Sequence, residues 1–333
     1  MFGGDEFVII CENHSHESFE DKINRAREEI NREYPDAVCM GYTWSDTEID
    51  TEKLINNAEE LMMIDKQRYY QKARIINRHY DPEIIRELEA SIERGEYTVF
   101  LQPKARTGSG EIAGAEALIR KLDKDKGIIY PGAFVPVFER QNMIRHIDLF
   151  VFEETFKILD IWNKEGKALI PISLNFSRAT VLEKGILNTM EDISSKYDVD
   201  KKYVEIEITE SLGSMEIETM RRICNGIKEK GYRIALDDFG TKYSSMAMIS
   251  AMNFDVIKMD KSITNDILDN KTNQILMKNI FSACHEIGIE TVSEGVETQE
   301  QFDLLSKMGC DYGQGYLFNK AIPWREFEKQ YVL

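Results

Sequence analysis

The feature that most constrains the fold is an alternation of strand-like and helix-like segments from residue 96 to residue 333. Such repetition is typical of parallel strands joined by crossover helices, and the number of repeats suits an eight-stranded barrel. We therefore predict an α/β fold, a modified TIM-like (β/α)8 barrel. The predicted strands are 97–102, 112–118, 170–175, 204–208, 233–237, 256–259, 290–292 and a short segment near 311–312; the predicted helices are 145–165, 179–196, 216–230, 262–287 and 298–308.

The first two predicted strands are separated by a turn, residues 107–110, rather than by a helix. Two strands joined by a short turn that contains glycine favour an antiparallel hairpin. We therefore expect the barrel to be irregular at this point.

The composition indicates an ordinary globular chain of 333 residues, with 42% hydrophobic and 30% charged residues. A net charge of −17 argues against non-specific binding to DNA or RNA, because phosphate contacts need a basic face. No apolar run approaches the roughly 20 residues of a membrane-spanning helix, and the first residues do not resemble a signal peptide. The five cysteines form no CxxC pair, so we expect reduced thiols and a cytoplasmic protein.

Polar side chains occur at or just after the ends of most predicted barrel strands. In an α/β barrel the C-terminal strand ends share one mouth, which is where such enzymes carry their active sites. We therefore expect several acids, amides and a lysine to converge there. These residues are Glu116, Asn175, Glu207, Glu210, Asp237, Asp238, Lys258, Asp260, Glu294, Glu297 and Gln314.

So many carboxylates at one mouth would repel one another unless cations lay between them. Oxygen ligands suit Mg²⁺ or Mn²⁺ better than Zn²⁺. Two such ions can activate water and hold the scissile phosphate of a phosphodiester. Two alternatives stay open: polar caps at unrelated strand ends, and, for the adjacent Asp237 and Asp238, a solvated turn that caps a helix.

The N-terminal segment begins with the motif FGGDEF, followed by an apolar run, VIIC, of strand length. Helical periodicity predicts helices over residues 17–33 and 51–70, with a strand over 38–43 between them. Residues 73–95 are strongly charged and predict a linker helix.

The ordered motifs GAEALIR, SLNFS, EIEITES, ALDDFG, IKMD, SEGVE and QGY resemble those of the EAL-domain phosphodiesterases. The resemblance covers residues 96–333. It implies a barrel with one reversed strand, two divalent metal ions, and hydrolysis of cyclic di-GMP to linear pGpG.

Residues 1–72 resemble the C-terminal half of a GGDEF (diguanylate cyclase) domain, which leaves residues 73–95 as the linker. In that family the half that precedes the motif supplies part of the metal and nucleotide site. We therefore expect no cyclase activity from this segment.

The resemblance also implies roles for the matching residues. Lys258 would orient the attacking water, Glu294 would be a general base or a metal ligand, and Glu210 would steady the loop after the aspartate pair. The implied metal ligands are Glu116, Asn175, Glu207, Asp237 (bridging both ions), Asp238 and Glu294. The implied substrate-binding residues are Gln102, Glu116, Leu118, Arg120, Asp238 and Gln314.

Three alternatives concern single residues or the function. Arg120 could instead form a surface salt bridge, and Gln314 could be a turn residue. Lys242 stands where the family has glycine, so metal affinity, or homodimer formation through the EAL domain, could be altered. A non-catalytic cyclic di-GMP receptor and a regulatory GGDEF–EAL module remain alternative functions.

Overall fold

The structure is a computed structural model of the chain. It describes residues 8–11, 15–33, 39–46, 54–55, 57–58, 61–62, 82–141, 143–209, 217–240 and 245–332. The chain divides into two compact units, Met1–Ile84 and Ile85–Leu333.

The described helices and strands have the following bounds. The strands are β1 (Tyr97–Arg106), β2 (Ile112–Asp123), β3 (Gly127–Ile129), β4 (Ile172–Asn175), β5 (Val204–Thr209), β6 (Arg233–Phe239), β7 (Val256–Met259), β8 (Glu290–Ser293), β9 (Tyr312–Gln314) and β10 (Ile322–Pro323). The helices are α1 (His16–Glu33), α2 (Pro82–Glu93), α3 (Val135–Arg140), α4 (Ile144–Lys164), α5 (Arg178–Val181), α6 (Ile186–Ser194), α7 (Ile217–Glu229), α8 (Ser245–Ala251), α9 (Lys261–Thr264), α10 (Lys271–Glu286), α11 (Gln299–Met308) and α12 (Trp324–Tyr331), with 3₁₀ turns at Pro131–Ala133 and Lys201–Tyr203.

Eight strands of the second unit close into a barrel in the order β1–β9–β8–β7–β6–β5–β4–β2, and β2 pairs back to β1. The prediction of an eight-stranded α/β barrel is confirmed. Neighbouring strands from β2 round to β9 pair in parallel, whereas β1 pairs antiparallel with both β2 and β9. The short strands β3 and β10 pair antiparallel with β2 and β1.

Strand β5 shows why acidic side chains point into the barrel. Val204, Ile206 and Ile208 are fully buried and belong to the main hydrophobic core, which also contains helix residues. Because successive side chains of a strand alternate between its two faces, Glu205 and Glu207 point to the opposite side, the barrel interior. The hydrophobic face that anchors the strand therefore also aims its carboxylates.

Two predicted helices are each divided in two. The prediction over 179–196 becomes α5 and α6, because Gly185 adopts a left-handed conformation (φ 88°) at the start of α6. The prediction over 262–287 becomes α9 and α10, because the side chain of Asn270 accepts a hydrogen bond from the backbone N–H of Asn273 and so starts a new helix.

In the first unit α1 agrees with its prediction, and the described residues of 51–70 are helical. The strands predicted over 8–11 and 38–43 are wrong for the residues described there. A strand needs a neighbouring strand for its hydrogen bonds, and among the described residues of this unit no ladder forms. Residues 1–7, 38 and 73–81 lie outside the described residues.

None of the helices in the described part of the chain combines the length and the apolar composition needed to cross a membrane. The three cysteines of the barrel, Cys224, Cys284 and Cys310, are buried and form no disulfide bond. The more accessible Cys11 and Cys39 form no disulfide bond with any described residue.

A buried carboxylate holds the turn that follows β4. Asp148 on α4 is almost fully buried, and its Oδ2 accepts hydrogen bonds from the backbone N–H of Ser177 (2.9 Å) and the hydroxyl of Thr180 (2.6 Å). Burial raises the pKa of Asp148 to about 6, although the Thr180 and Ser177 hydrogen bonds oppose the increase. Asp148 thereby supports the segment that begins at Asn175.

We expect Asp148→Asn to change how stability depends on pH. The folded chain binds the Asp148 proton more tightly than the unfolded chain does, so the stability from this group is present at low pH and is lost as pH rises through about 6. Asparagine does not titrate. The free energy of unfolding of the variant should therefore increase relative to that of wild type by up to about 3 kcal/mol between about pH 4 and about pH 7. Urea unfolding across this range measures the difference.

The matched control is Asp160→Asn on the same helix, whose carboxylate pairs at 2.6 Å with the exposed Lys164 ammonium. It should show no such gain. Parallel pH curves for wild type and Asp148→Asn would contradict the assignment.

Candidate active site

The centre of the barrel mouth is a lysine surrounded by carboxylates. Lys258 on β7 is fully buried, and its Nζ lies close to oxygens from four different segments. The distances are 2.7 Å to Glu207 Oε2, 2.7 Å to Glu294 Oε1, 3.2 Å to Asp237 Oδ1 and 3.4 Å to Glu116 Oε2. Because β7 does not adjoin β5 or β2, these contacts can form only across the barrel interior. We call these five residues the acid cage.

Two amide side chains fix the carboxylate of Glu116. Asn175 Nδ2 donates to Glu116 Oε1 at 3.0 Å, and Gln314 Nε2 donates to Glu116 Oε2 at 2.5 Å. Gln314 Nε2 also lies 3.5 Å from Oε1 of Gln102, the cross-strand neighbour of Glu116. The structure therefore brings Asn175 and Gln314 to the carboxylate of Glu116, and Gln102 to the amide of Gln314.

A close backbone approach positions Gln314. A Cβ atom on the next residue, Gly315, would lie 2.1 Å from the carbonyl oxygen of Val296, so only glycine fits there. The backbone N–H of Val296 donates to the carbonyl of Gln314 at 3.0 Å. The glycine of the QGY motif thus lets the end of β9 pack against the segment that follows Glu294.

Burial and crowding set the charge states in the acid cage. Burial lowers the pKa of Lys258, but the four surrounding carboxylates outweigh it and hold that pKa well above its usual range. Burial, together with the nearby Glu116 carboxylate, raises the pKa of Glu207 well above normal. Burial acts the same way on Glu294, whose pKa rises to about 7. For Glu116, burial is outweighed by Lys258, the Gln314 hydrogen bond and Lys104, which lower its pKa.

A second group of carboxylates adjoins the cage. Asp237, Asp238 and Glu294 each offer an oxygen, and these oxygens lie within 4.8 Å of one another. Asp238 has φ 57°, the one left-handed non-glycine residue in the described part of the chain. This conformation turns the chain at the end of β6, so two consecutive aspartates can serve one site.

The donor set fits hard divalent cations. Within the described residues, Glu207 Oε1 and Asp237 Oδ1 are buried without a hydrogen-bond partner. The latter oxygen lies 3.2 Å from Lys258 Nζ, but in a direction that forms no hydrogen bond. A buried carboxylate oxygen normally has a partner, and a cation would supply one. The residues that could hold metal are Glu116, Asn175, Glu207, Asp237, Asp238 and Glu294.

The other predicted site residues lie away from the acid cage or outside the described residues. Arg120 and the half-buried Leu118 lie further along β2, beyond Glu116. Asp260 caps α9 by accepting a hydrogen bond from the N–H of Ser262. Glu210 and Lys242 lie outside the described residues.

Sequence reasoning missed a second buried ion pair one layer deeper in the barrel. Lys104 Nζ on β1 lies 3.0 Å from Glu205 Oε1 and donates to Ser173 Oγ at 3.0 Å. Glu205 also pairs with Arg233 at 3.3 Å. The only signal in the sequence was the spacing of Glu205 and Glu207, which puts both carboxylates on one face of β5.

Comparison with known proteins places the chain in a family. Residues 85–321 match the EAL domain, so this chain belongs to the EAL domain family. The probable cyclic di-GMP phosphodiesterase PdeB of Escherichia coli is 30% identical over 254 residues, which are 76% of this chain and 48% of PdeB. The cyclic di-GMP phosphodiesterase PA2567 of Pseudomonas aeruginosa is 31% identical over 236 residues, 71% of this chain and 40% of that protein. The chain thus spans less than half the length of these relatives.

A solved structure has the same fold. The PaMucR phosphodiesterase in its c-di-GMP complex superposes with a TM-score of 0.68 and 26% sequence identity. The alignment covers 74% of this chain and 99% of that one.

We expect Lys258→Met to destabilise the chain in a way that metal reverses. The variant leaves four crowded carboxylates without their shared cation, which should cost about 3–5 kcal/mol of folding stability. Mn²⁺ would replace the lost positive charge and restore most of the lost folding stability. Thermal unfolding with EDTA and with Mn²⁺ measures both effects.

Lys104→Met is the matched control, because it also removes a buried lysine but leaves the single carboxylate of Glu205 and not a cluster. Mn²⁺ should not restore its stability. Equal recovery of both variants, or no loss in Lys258→Met, would contradict the role given to the acid cage.

Proposed function

We propose that this chain is a metal-dependent phosphodiesterase that hydrolyses cyclic di-GMP to linear pGpG. The observation that carries the proposal is the acid cage with its adjoining carboxylates, because buried orphan oxygens at one barrel mouth fit two divalent cations. Membership of the EAL domain family and relatives named as cyclic di-GMP phosphodiesterases support the substrate.

In this proposal Glu116, Asn175, Glu207 and Asp237 would hold the first ion, and Asp237, Asp238 and Glu294 would hold the second. Two Mg²⁺ or Mn²⁺ ions, when bound, would lower the pKa of water and stabilise charge on the scissile phosphate.

The side chains of the chain itself then orient the reactants. Lys258 has three N–H donors at the centre of the cage and would hold the attacking oxygen in line with the phosphate. Glu294 would act either as the general base that accepts the proton of the attacking water or as a ligand of the second ion. Gln102, Leu118, Arg120, Asp238 and Gln314 would contact the nucleotide, and Glu210 would support the loop after Asp238.

The proposal extends to the rest of the chain. We assign residues 1–72 to the C-terminal half of a GGDEF domain without cyclase activity, 73–95 to a linker and 96–333 to the EAL domain. Homodimer formation through the EAL domain belongs to the same proposal; the exposed Ile275 and Leu276 on α10 offer apolar surface for it.

Purified protein with Mg²⁺ or Mn²⁺ should convert cyclic di-GMP to pGpG, and Glu116→Gln should lower turnover by more than about 100-fold. Loss of a residue that only supports a metal ligand costs about 10–100-fold, so loss of a ligand should cost more. Chromatography of the products measures the rate. Glu290→Gln is the control, since Glu290 pairs with Arg233 at the opposite end of the barrel and should keep near wild-type turnover.

Unchanged turnover in folded Glu116→Gln would refute the metal assignment. Tight binding of cyclic di-GMP without any product, with either metal, would instead favour the receptor function.

We expect Ca²⁺ to inhibit hydrolysis in competition with Mg²⁺ or Mn²⁺. Ca²⁺ is larger and takes 6–8 oxygen ligands in flexible geometry, so it fits a tight two-ion site badly. Turnover measured at fixed Mn²⁺ and rising Ca²⁺ tests this. Faster hydrolysis with Ca²⁺ alone than with Mn²⁺ alone would contradict it.

A further inference from the structure

The hairpin of β1 and β2 continues above the acid cage as a wall. Gln102 faces Glu116 across the two strands, Phe100 faces Leu118, and Thr98 faces Arg120. Because every second side chain of a strand points to the same side, Leu118 and Arg120 continue the inward face of Glu116. Four residues of strand place Arg120 about 13 Å from Glu116, a distance that the far nucleotide of a dinucleotide can reach.

The Arg120 guanidinium lies close to two aromatic rings. Its Cζ lies 5.7 Å from the centroid of the buried Phe100 ring and 5.0 Å from that of Tyr130, and its Nη1 donates to the carbonyl of Ile119 at 2.8 Å. Arg120 itself is buried, whereas Tyr130 is 63% exposed. The exposed Tyr130 side chain therefore has a buried cation behind it.

A second exposed tyrosine lies near the mouth. Tyr316 follows Gln314 by two residues, is 60% exposed, and has the Lys320 ammonium 5.0 Å from the centroid of its ring. Tyr130 has a similar exposure and also one cation 5.0 Å from its ring centroid, but that cation belongs to the buried Arg120, whereas Lys320 is exposed.

An aromatic ring at a nucleotide site commonly stacks on a base, and an adjacent arginine adds a cation–π contribution. Single exposed aromatic residues are frequent on protein surfaces and by themselves mean little. Tyr130 differs because it packs on a buried arginine that shares the inward face of the wall with a cage residue.

We propose that Tyr130 stacks on the guanine of the nucleotide furthest from the scissile phosphate, and so favours cyclic dinucleotides over short phosphodiesters. This inference rests on the proposed function. It adds a base-binding residue that lies outside the motifs EIEITES, ALDDFG and SEGVE.

The test compares Tyr130→Ala with Tyr130→Phe and with Ile128→Ala. Ile128 precedes Tyr130 by two residues, is 44% exposed, and controls for loss of an apolar side chain from the same segment. Affinity for cyclic di-GMP is measured by calorimetry with Ca²⁺, and KM and kcat are measured with Mn²⁺.

Removal of one stacking ring should weaken binding about tenfold in Tyr130→Ala and raise KM more than it lowers kcat. Tyr130→Phe keeps the ring and should stay within about twofold of wild type, because stacking does not need the hydroxyl. Ile128→Ala should bind like wild type.

The outcomes separate the two proposals. Wild-type protein that neither binds nor hydrolyses cyclic di-GMP would refute the proposed function. Wild-type binding with unchanged affinity in Tyr130→Ala, or an equal loss in Tyr130→Phe, would overturn the stacking role alone. The stacking role would also be overturned if Tyr130→Ala had no effect in an Arg120→Gln background, because Tyr130 would then act only through Arg120.

Discussion

The ammonium group of Lys258 contacts four carboxylates at the centre of the barrel mouth, and the rest of the site depends on this interaction. Each carboxylate comes from a different segment, so their common contact ties β2, β5, β6, β7 and the segment after β8 to one point. One cation cannot neutralise four carboxylates. The remaining charge is met partly by proton uptake, as the raised pKa values of Glu207 and Glu294 indicate. Bound divalent cations would neutralise the remaining negative charge more completely. The same cations would supply the chemistry for phosphodiester hydrolysis.

The barrel makes this concentration of charge possible because each strand has two distinct faces. The outward face of β5 is made of Val204, Ile206 and Ile208, which anchor it in the main core, and the inward face carries the carboxylates of Glu205 and Glu207. Hydrophobic burial outside the barrel therefore stabilises the strand against the repulsion inside it. Lys104 supports the arrangement from the layer below, where it pairs with Glu205.

The parts of the site that could be predicted from sequence are those set by strand ends. Lys258 and Glu207 lie on strands whose type and approximate limits are local properties, and the barrel topology brings such ends together. The pairing of Lys104 with Glu205 could not be predicted, because it depends on which positions of two distant strands share a layer. The contact of Tyr130 with Arg120 depends likewise on a loop conformation.

The fold shows the same division between local and non-local causes. Most of the barrel strands were predicted because each is a short apolar run next to a helix or a tight turn, which is a local property of the sequence. Gly185 and Asn270 each start a new helix through a backbone conformation or a cap that helical periodicity does not express. The described residues of the first unit form none of the expected strands, because a strand needs a hydrogen-bonding partner that an apolar run alone cannot supply.

Anomalous scattering from crystals of the full chain soaked in Mn²⁺ tests the central claim most directly. We expect two peaks about 4 Å apart, as in other two-metal sites, within reach of the oxygens of Glu207, Asp237 and Glu294. Well-diffracting crystals with no peak in the barrel mouth, or with Mn²⁺ bound only elsewhere, would contradict it.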